Sequence, residues 1–161
     1  MEGERMGSYE ESLRVMEHLF QKDTQFALAT VKDEVPSLRF VDVYYEDAAF
    51  YIVTYGKSRK VQEITENPNV ALCKNLYSFQ GKARNIGHPL QEENKEIRKH
   101  LVNAFEPWYF EHNNEEDQQM CYVKVELTNG FFYEKGTAYR VDFLKKKVES
   151  FPFTFDIKIL E

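Results

Sequence analysis

Little in this sequence could build a disulfide framework, a metal cage or a membrane span. It holds 2 cysteines, 7 glycines, 5 prolines and 4 histidines in 161 residues. Cys73 and Cys121 lie far apart, each inside an apolar, strand-like run, and form no C-x-x-C pair. That excludes a stapled secreted scaffold and predicts two buried thiols in a reducing compartment. His18, His88, His100 and His112 show no H-x-x-x-H spacing, so none is expected to ligate a metal. No apolar run approaches the ~20 residues of a membrane helix, and Met1 to Gly7 is charged, unlike a signal peptide. The expectation is a cytoplasmic protein without membrane contact.

Phosphate loops of the forms G-x-G-x-x-G and G-x-x-x-x-G-K-[ST] are missing, as is the nucleophile elbow G-x-S-x-G. Positive charge is also scarce. Lys and Arg number 21 against 27 Asp and Glu, a formal net charge of -6. Nucleic acid, which needs a broad basic face, is therefore not an expected partner.

Aromatic residues are abundant at 15%, with 13 Phe and 10 Tyr, and 42% of the chain is hydrophobic. This composition favours β-structure and an apolar surface suited to a second subunit, and the length suits one domain over residues 1–161. Ser8 followed by Glu11 is a capping-box pattern, and Leu13, Met16, Leu19 and Phe20 recur at helical spacing, predicting a helix from Tyr9 to Gln21. Phe26 to Val31, Ser37 to Tyr45 and Phe50 to Thr54 read as a three-stranded meander with turns at Lys32-Asp33-Glu34 and Glu46-Asp47. Alternation places Arg39, Val41, Val43 and Tyr45 on one face of the second strand.

The stretch Val53-Thr54-Tyr55-Gly56-Lys57-Ser58-Arg59-Lys60 organises the rest. It closes a strand and opens a helix expected from Arg59 to Glu66, with Ser58 placed to cap the first turn. Backbone amides at a helix start and clustered cations suit an anion. In an acidic protein so local a positive spot fits one compact dianion, such as a phosphate monoester. Arg39 would be costly to bury without a partner, and the hairpin brings it toward the octet.

Further strands are expected at Asn69–Cys73, Tyr77–Ile86, Met120–Leu127, Gly130–Glu134 and Thr137–Leu144. Gly81 marks a bulge or a close backbone approach. A helix is expected from Gln91 to Phe105, an irregular aromatic segment at Pro107 to Phe110, a solvated acidic loop at Glu115 to Asp117 and a turn at Lys145-Lys146-Lys147. The tail from Ser150 to Leu160 reads as a last strand or a subunit-contact arm. Six or more antiparallel strands with helices at their ends predict a small closed barrel of mainly β (α+β) class. With no nucleophile, metal or acid/base cluster of its own, an enzyme holding a phosphate-sized site would rely on a phosphorylated cofactor.

Phe26 to Val31, Val35-Pro36 with Arg39 downstream, Tyr51 to Thr54, Ser58-Arg59-Lys60-Val61, Asn67 to Leu72 and Gly81-Lys82-Ala83 occur in an order that resembles the pyridoxamine 5'-phosphate oxidase-like FMN-binding split-barrel family. The resemblance implies a six-stranded antiparallel split β-barrel with peripheral helices, and a homodimer with FMN bound between subunits. Arg39, Ser58, Arg59 and Lys60 would hold the FMN phosphate, with Val53, Thr54 and the backbone of Phe40 and Val41 against the isoalloxazine. The aromatics of Pro107 to Phe110 would cover the flavin or pack in the core or dimer seam. The implied function is an oxidoreductase passing hydride or electrons from a reduced nicotinamide or another small donor to a small acceptor. A non-catalytic flavin-binding or stress-sensing protein, or a haem or deazaflavin binder, remains open, since similar relatives have such roles. The oxidase's Arg/His-rich ending is replaced here by Phe151 to Glu161, which argues against pyridoxamine phosphate as substrate.

Overall fold

A computed structural model of the chain describes residues 8–154. Its elements, in order, are α1 (Tyr9–Phe20), β1 (Thr24–Lys32), β2 (Val35–Glu46), β3 (Ala49–Tyr55), α2 (Arg59–Glu66), β4 (Asn69–Lys74), β5 (Tyr77–Gly87), α3 (Lys95–Ala104), α4 (Trp108–His112), β6 (Met120–Glu134), β7 (Thr137–Asp142) and β8 (Lys147–Pro152). The capping box at the start of α1 is formed, with Glu11 N donating to Ser8 Oγ at 3.1 Å and Ser8 N donating to Glu11 Oε2 at 3.3 Å.

Strands pair antiparallel in the order β3-β2-β1-β4-β5-β6, and β3 pairs again with β6, so six strands close a barrel. β7 and β8 extend the sheet beyond it. Closure leaves the six strands with few open edges, the usual answer to the edge problem in all-β architectures. The hairpins turn tightly without glycine at two of the meander's corners. Asp33 and Glu34, then Asp47 and Ala48, all take positive φ between 47° and 64°. Such a pair of left-handed residues twists in the sense that the flanking strands require.

Alternation fills the barrel with Phe26, Leu28, Val43, Phe50, Ile52, Leu72, Phe79, Val123 and Val125. Phe20 of α1 plugs one mouth, its ring edge-on to Phe26 at 5.4 Å and to Phe50 and Phe79 at 5.8 Å. Edge-to-face packing of this kind is worth about 0.5–1.5 kcal/mol per pair beyond the area buried. A second apolar layer lies outside the barrel wall, where Leu101, Phe105 and Tyr109 cover Tyr51, Met120 and Tyr122.

Several expectations need correction. Met120–Leu127 and Gly130–Glu134 are one continuous strand. β5 residue Gln80 pairs with Asn129 while the next, Gly81, pairs with Leu127, so Thr128 is an extra bulge residue and not a turn. Gly81 serves this bulge as expected, because a Cβ there would sit 2.6 Å from the carbonyl oxygen of Glu126. The helix expected from Gln91 to Phe105 begins as a 3₁₀ turn at Glu92–Asn94 and continues as α3. Pro107 to Phe110 is not irregular, since α4 starts at Trp108. β7 ends at Asp142, short of Leu144. The last strand begins at Lys147, so Lys147 belongs to β8 and the turn ends at Lys146 with φ 53°. The expected continuation from 155 to 160 lies outside the described residues. Cys121 is buried, but Cys73 is exposed, because in the alternation of β4 it follows the inward Leu72 and faces outward.

Candidate functional site

β2 and β3 are paired only from Tyr44–Glu46 to Ala49–Tyr51. Beyond that they diverge. β2 continues along β1 alone, and β3 along β6. Among the described residues no strand pairs with the other edge of β2 from Val35 to Val43. Peptide groups of Phe40 and Val41 on β2, and of Val53 and Thr54 on β3, thus flank an opening in the wall. This is where the backbone is able to meet a planar ligand.

The helix that follows β3 stands beside this split. Gly56 N donates to Gln119 O at 2.7 Å and Ser58 N to Tyr55 O at 3.0 Å, which turns the chain from strand into α2. Ser58 occupies the N-cap with extended backbone angles, but its side chain does not cap the helix; Ser58 Oγ lies 3.5 Å from Thr54 Oγ1. The first-turn amides are therefore left without that side-chain acceptor, a correction to the capping role expected of Ser58.

Arg39 points inward from β2 and Arg59 and Lys60 project from the first turn of α2, so the structure brings the three cations to one corner. A residue not singled out from the sequence holds two of them. Glu63, one turn along α2 and only 2% exposed, accepts from Arg59 Nε at 2.9 Å and from Arg39 Nη2 at 3.3 Å. It also accepts from the hydroxyl of Thr30 and from Ser37 Oγ at 3.4 Å. The Thr30 hydrogen bond, then those from Arg59 and Arg39, outweigh burial and hold its carboxyl down to about 2. Arg39 Nη1 in turn donates to Thr30 Oγ1 at 2.6 Å, and Arg59 Nη2 to Ser37 Oγ at 3.2 Å.

Lys60 is half-buried; burial first, and the cationic Arg39 second, lower its pKa. Cys121 behind it is pushed up to about 11 by burial, so its thiol is protonated at neutral pH and not a ready nucleophile. Three cations against one carboxylate leave this corner with a net charge of two, the match for a dianion. The donor set fits a phosphate monoester: guanidinium and ammonium groups, hydroxyls of Thr54 and Ser58, and the amides of a helix start.

The remaining predicted residues divide by side. Val41 buries its side chain in the core, so only its backbone reaches the split. Phe40 points the other way from Arg39 and is 72% exposed, with Leu38 at 71% on the same outer surface. Val53 is half-buried on the outer side of β3, packed with the second apolar layer. The aromatics after Pro107 do not meet the basic corner. Trp108 stacks on Phe105 at 4.6 Å and its Nε1 donates to Asp23 Oδ2 at 2.7 Å. Tyr109 is buried, with its hydroxyl shared between Tyr122 and Glu115. Clefts lie elsewhere, one of about 480 Å³ between β5–β6 and β7–β8 and one of about 730 Å³ between α3 and the outer wall. Neither gathers the cations that the split does.

Fold and site together define a split-barrel protein with a cationic corner at its open seam. The chain belongs to the pyridoxamine 5'-phosphate oxidase family, whose model matches residues 14–132. Among solved structures it is similar to General Stress Protein 26 from Bacillus anthracis str. Sterne, at 21% identity over 80% of this chain and 97% of that one, with a TM-score of 0.58. HutZ, the heme storage protein from Vibrio cholerae, is 12% identical over 75% and 91% of the two chains, TM-score 0.56. An F420 reductase is 15% identical over 71% and 94%, TM-score 0.52. At such identities the likeness is one of fold. No curated protein sequence matches the chain.

Proposed function

We propose that this protein is an FMN-binding oxidoreductase that works as a homodimer, passing hydride or electrons between a reduced nicotinamide or another small donor and a small-molecule acceptor. The observation that carries this reading is the convergence of Arg39, Arg59 and Lys60 on the unpaired edge of β2. A dianion and a flat ring are offered contacts a few residues apart on one seam. Bound flavin would supply the two-electron chemistry. The chain's own residues neutralise the phosphate, present peptide groups at Phe40, Val41, Val53 and Thr54, and shield the seam once a partner covers Leu38 and Phe40. Such an exposed apolar run on a small protein is the mark of an interaction surface.

A second reading, a flavin-binding or sensing protein without turnover, is favoured by one feature. Two titratable groups at the corner are poised far from neutrality, Glu63 at about 2 and Cys121 at about 11. Neither is suited to general acid or base work near pH 7. Absorbance of the purified protein followed by anaerobic stopped-flow mixing with NADH or NADPH tests both. A flavin spectrum that bleaches on mixing supports the oxidoreductase, and a flavin that stays oxidised supports the sensor. A Soret band, or a deazaflavin spectrum, would overturn the FMN assignment.

A further inference from the structure

We propose that Glu63 is the positioning residue of the phosphate corner, the group that sets Arg39 and Arg59 in the orientation in which they receive a phosphate monoester. The proposal rests on the FMN reading above and adds a residue and a role to it.

A guanidinium carries five N–H groups in a rigid fork. Arg39 engages Leu28 O at 3.4 Å and Thr30 Oγ1 at 2.6 Å through Nη1, and Glu63 Oε2 at 3.3 Å through Nη2. Arg59 engages Glu63 Oε1 at 2.9 Å through Nε and Ser37 Oγ at 3.2 Å through Nη2. Each fork keeps N–H donors beyond these bonds, and because the fork is planar, fixing part of it fixes the direction of the rest. One carboxylate, one oxygen to each arginine, therefore aligns two side chains from different elements. The hydroxyls of Thr30 and Ser37 complete the frame from β1 and β2.

Arg59 shows why the frame matters. Its side chain is 77% exposed. A long, solvated arginine samples many rotamers, and a ligand must otherwise supply the ordering cost, about 0.5–1.5 kcal/mol for such a side chain. Arg39 shows the complementary need. It is largely covered, and without Glu63 its charge would face Lys60 across a poorly solvated space. Glu63 thus lowers the cationic repulsion of the free protein while leaving a net charge of two for the ligand.

Separating positioning from packing requires a ligand pair that differs only at the phosphate. The full chain, stripped of co-purified flavin, is titrated with FMN and with riboflavin by flavin fluorescence. Wild type is expected to favour FMN. Glu63→Leu keeps the volume and removes both acceptor oxygens, and is expected to weaken FMN about tenfold, the worth of roughly one charge-assisted hydrogen bond, with riboflavin unchanged. Glu63→Gln keeps one acceptor and is expected to restore most of the loss. Should Glu63→Leu fail to fold, as judged by circular dichroism, Thr30→Val carries the same expectation in smaller measure, since it removes the hydroxyl shared by Glu63 and Arg39. Wild type that prefers FMN while no variant alters the FMN-to-riboflavin ratio overturns the positioning role alone. Equal loss of both ligands assigns Glu63 to packing and also overturns it. Wild type that does not distinguish the two flavins overturns the phosphate reading itself, and the positioning role with it.

Discussion

Arg39 Nη2 lies 3.3 Å from Glu63 Oε2, joining the middle of a barrel strand to a helix that begins twenty residues later in the chain. This contact is the hinge of the site. It gives a partner to the inward-facing Arg39 and sets it beside Arg59 and Lys60, and it does so at the seam where β2 and β3 part. Burial of the carboxylate is tolerated because four groups donate to it.

Replacing Arg59 and Lys60 together by Ala is expected to weaken FMN by a few kcal/mol in total, on the basis of ~1.5–3 kcal/mol for a hydrogen bond to a charged group. Equilibrium dialysis or fluorescence quenching reads the change. Unaltered affinity in the double variant would place the phosphate elsewhere.

Phe40 and Leu38 stand out of the barrel wall, and a second copy covering them is expected to fail when that surface is charged. Sedimentation velocity should find a dimer in wild type and a monomer in Phe40→Asp. A wild-type monomer at micromolar concentration would contradict the homodimer.

Acid should act through Glu63. Its carboxyl is held at about 2 against an ordinary value of 4.5, so the unfolded chain takes up the proton first as pH falls. The stability it contributes is fully present above pH ~4.5 and is lost progressively down to pH ~2. Urea midpoints measured across that window should fall, and fall less steeply in Glu63→Gln. Parallel curves for the two proteins would show that the carboxylate is not the group responsible.

Alkali acts on the phenols. Burial pushes Tyr45, Tyr51 and Tyr122 up to about 12 from an ordinary 10.0. Here the unfolded state loses protons first, so this stability is complete below pH ~10 and is lost as pH rises toward ~12. Unfolding followed at 295 nm should coincide with ionisation of these phenols. Ionisation in a still-folded barrel, by circular dichroism, would contradict it.

Gly81→Ala tests the bulge. The added methyl would meet the Glu126 carbonyl oxygen at 2.6 Å and Val125 Cγ1 at 2.8 Å. Overpacking of this order costs about 1–3 kcal/mol, read as a lower urea midpoint with an unchanged slope. An unshifted midpoint would mean that β5 and β6 separate there at little cost.

The parts of this architecture written in local pattern were legible before any coordinates. Ser8 and Glu11 announce the start of α1, and the alternation of Arg39, Val41, Val43 and Tyr45 gives the inward face of β2. Asn67-Pro68 ends α2. Where local pattern misled, the cause lay in distant neighbours. Thr128 and Asn129 look like a break in a strand, yet they continue β6 because β5 and β7 hydrogen-bond to either side of the bulge. Cys73 sits in an apolar run but faces outward, since its neighbours Leu72 and Val70 take the core. Pro107 to Phe110 becomes helical through packing of Tyr109 and Phe105 against the barrel wall.

The order of the elements, the mainly β class and the cationic octet were determined by the sequence itself, because hydrophobic period and charge density are properties of adjacent residues. Which partner Arg39 would find was decided only by the tertiary structure. Glu63 looks like any solvent-facing glutamate on a short helix until closure of the barrel lays that helix over Thr30, Ser37 and Arg39. An ion pair depends on distance in space, and the folded chain alone sets that distance.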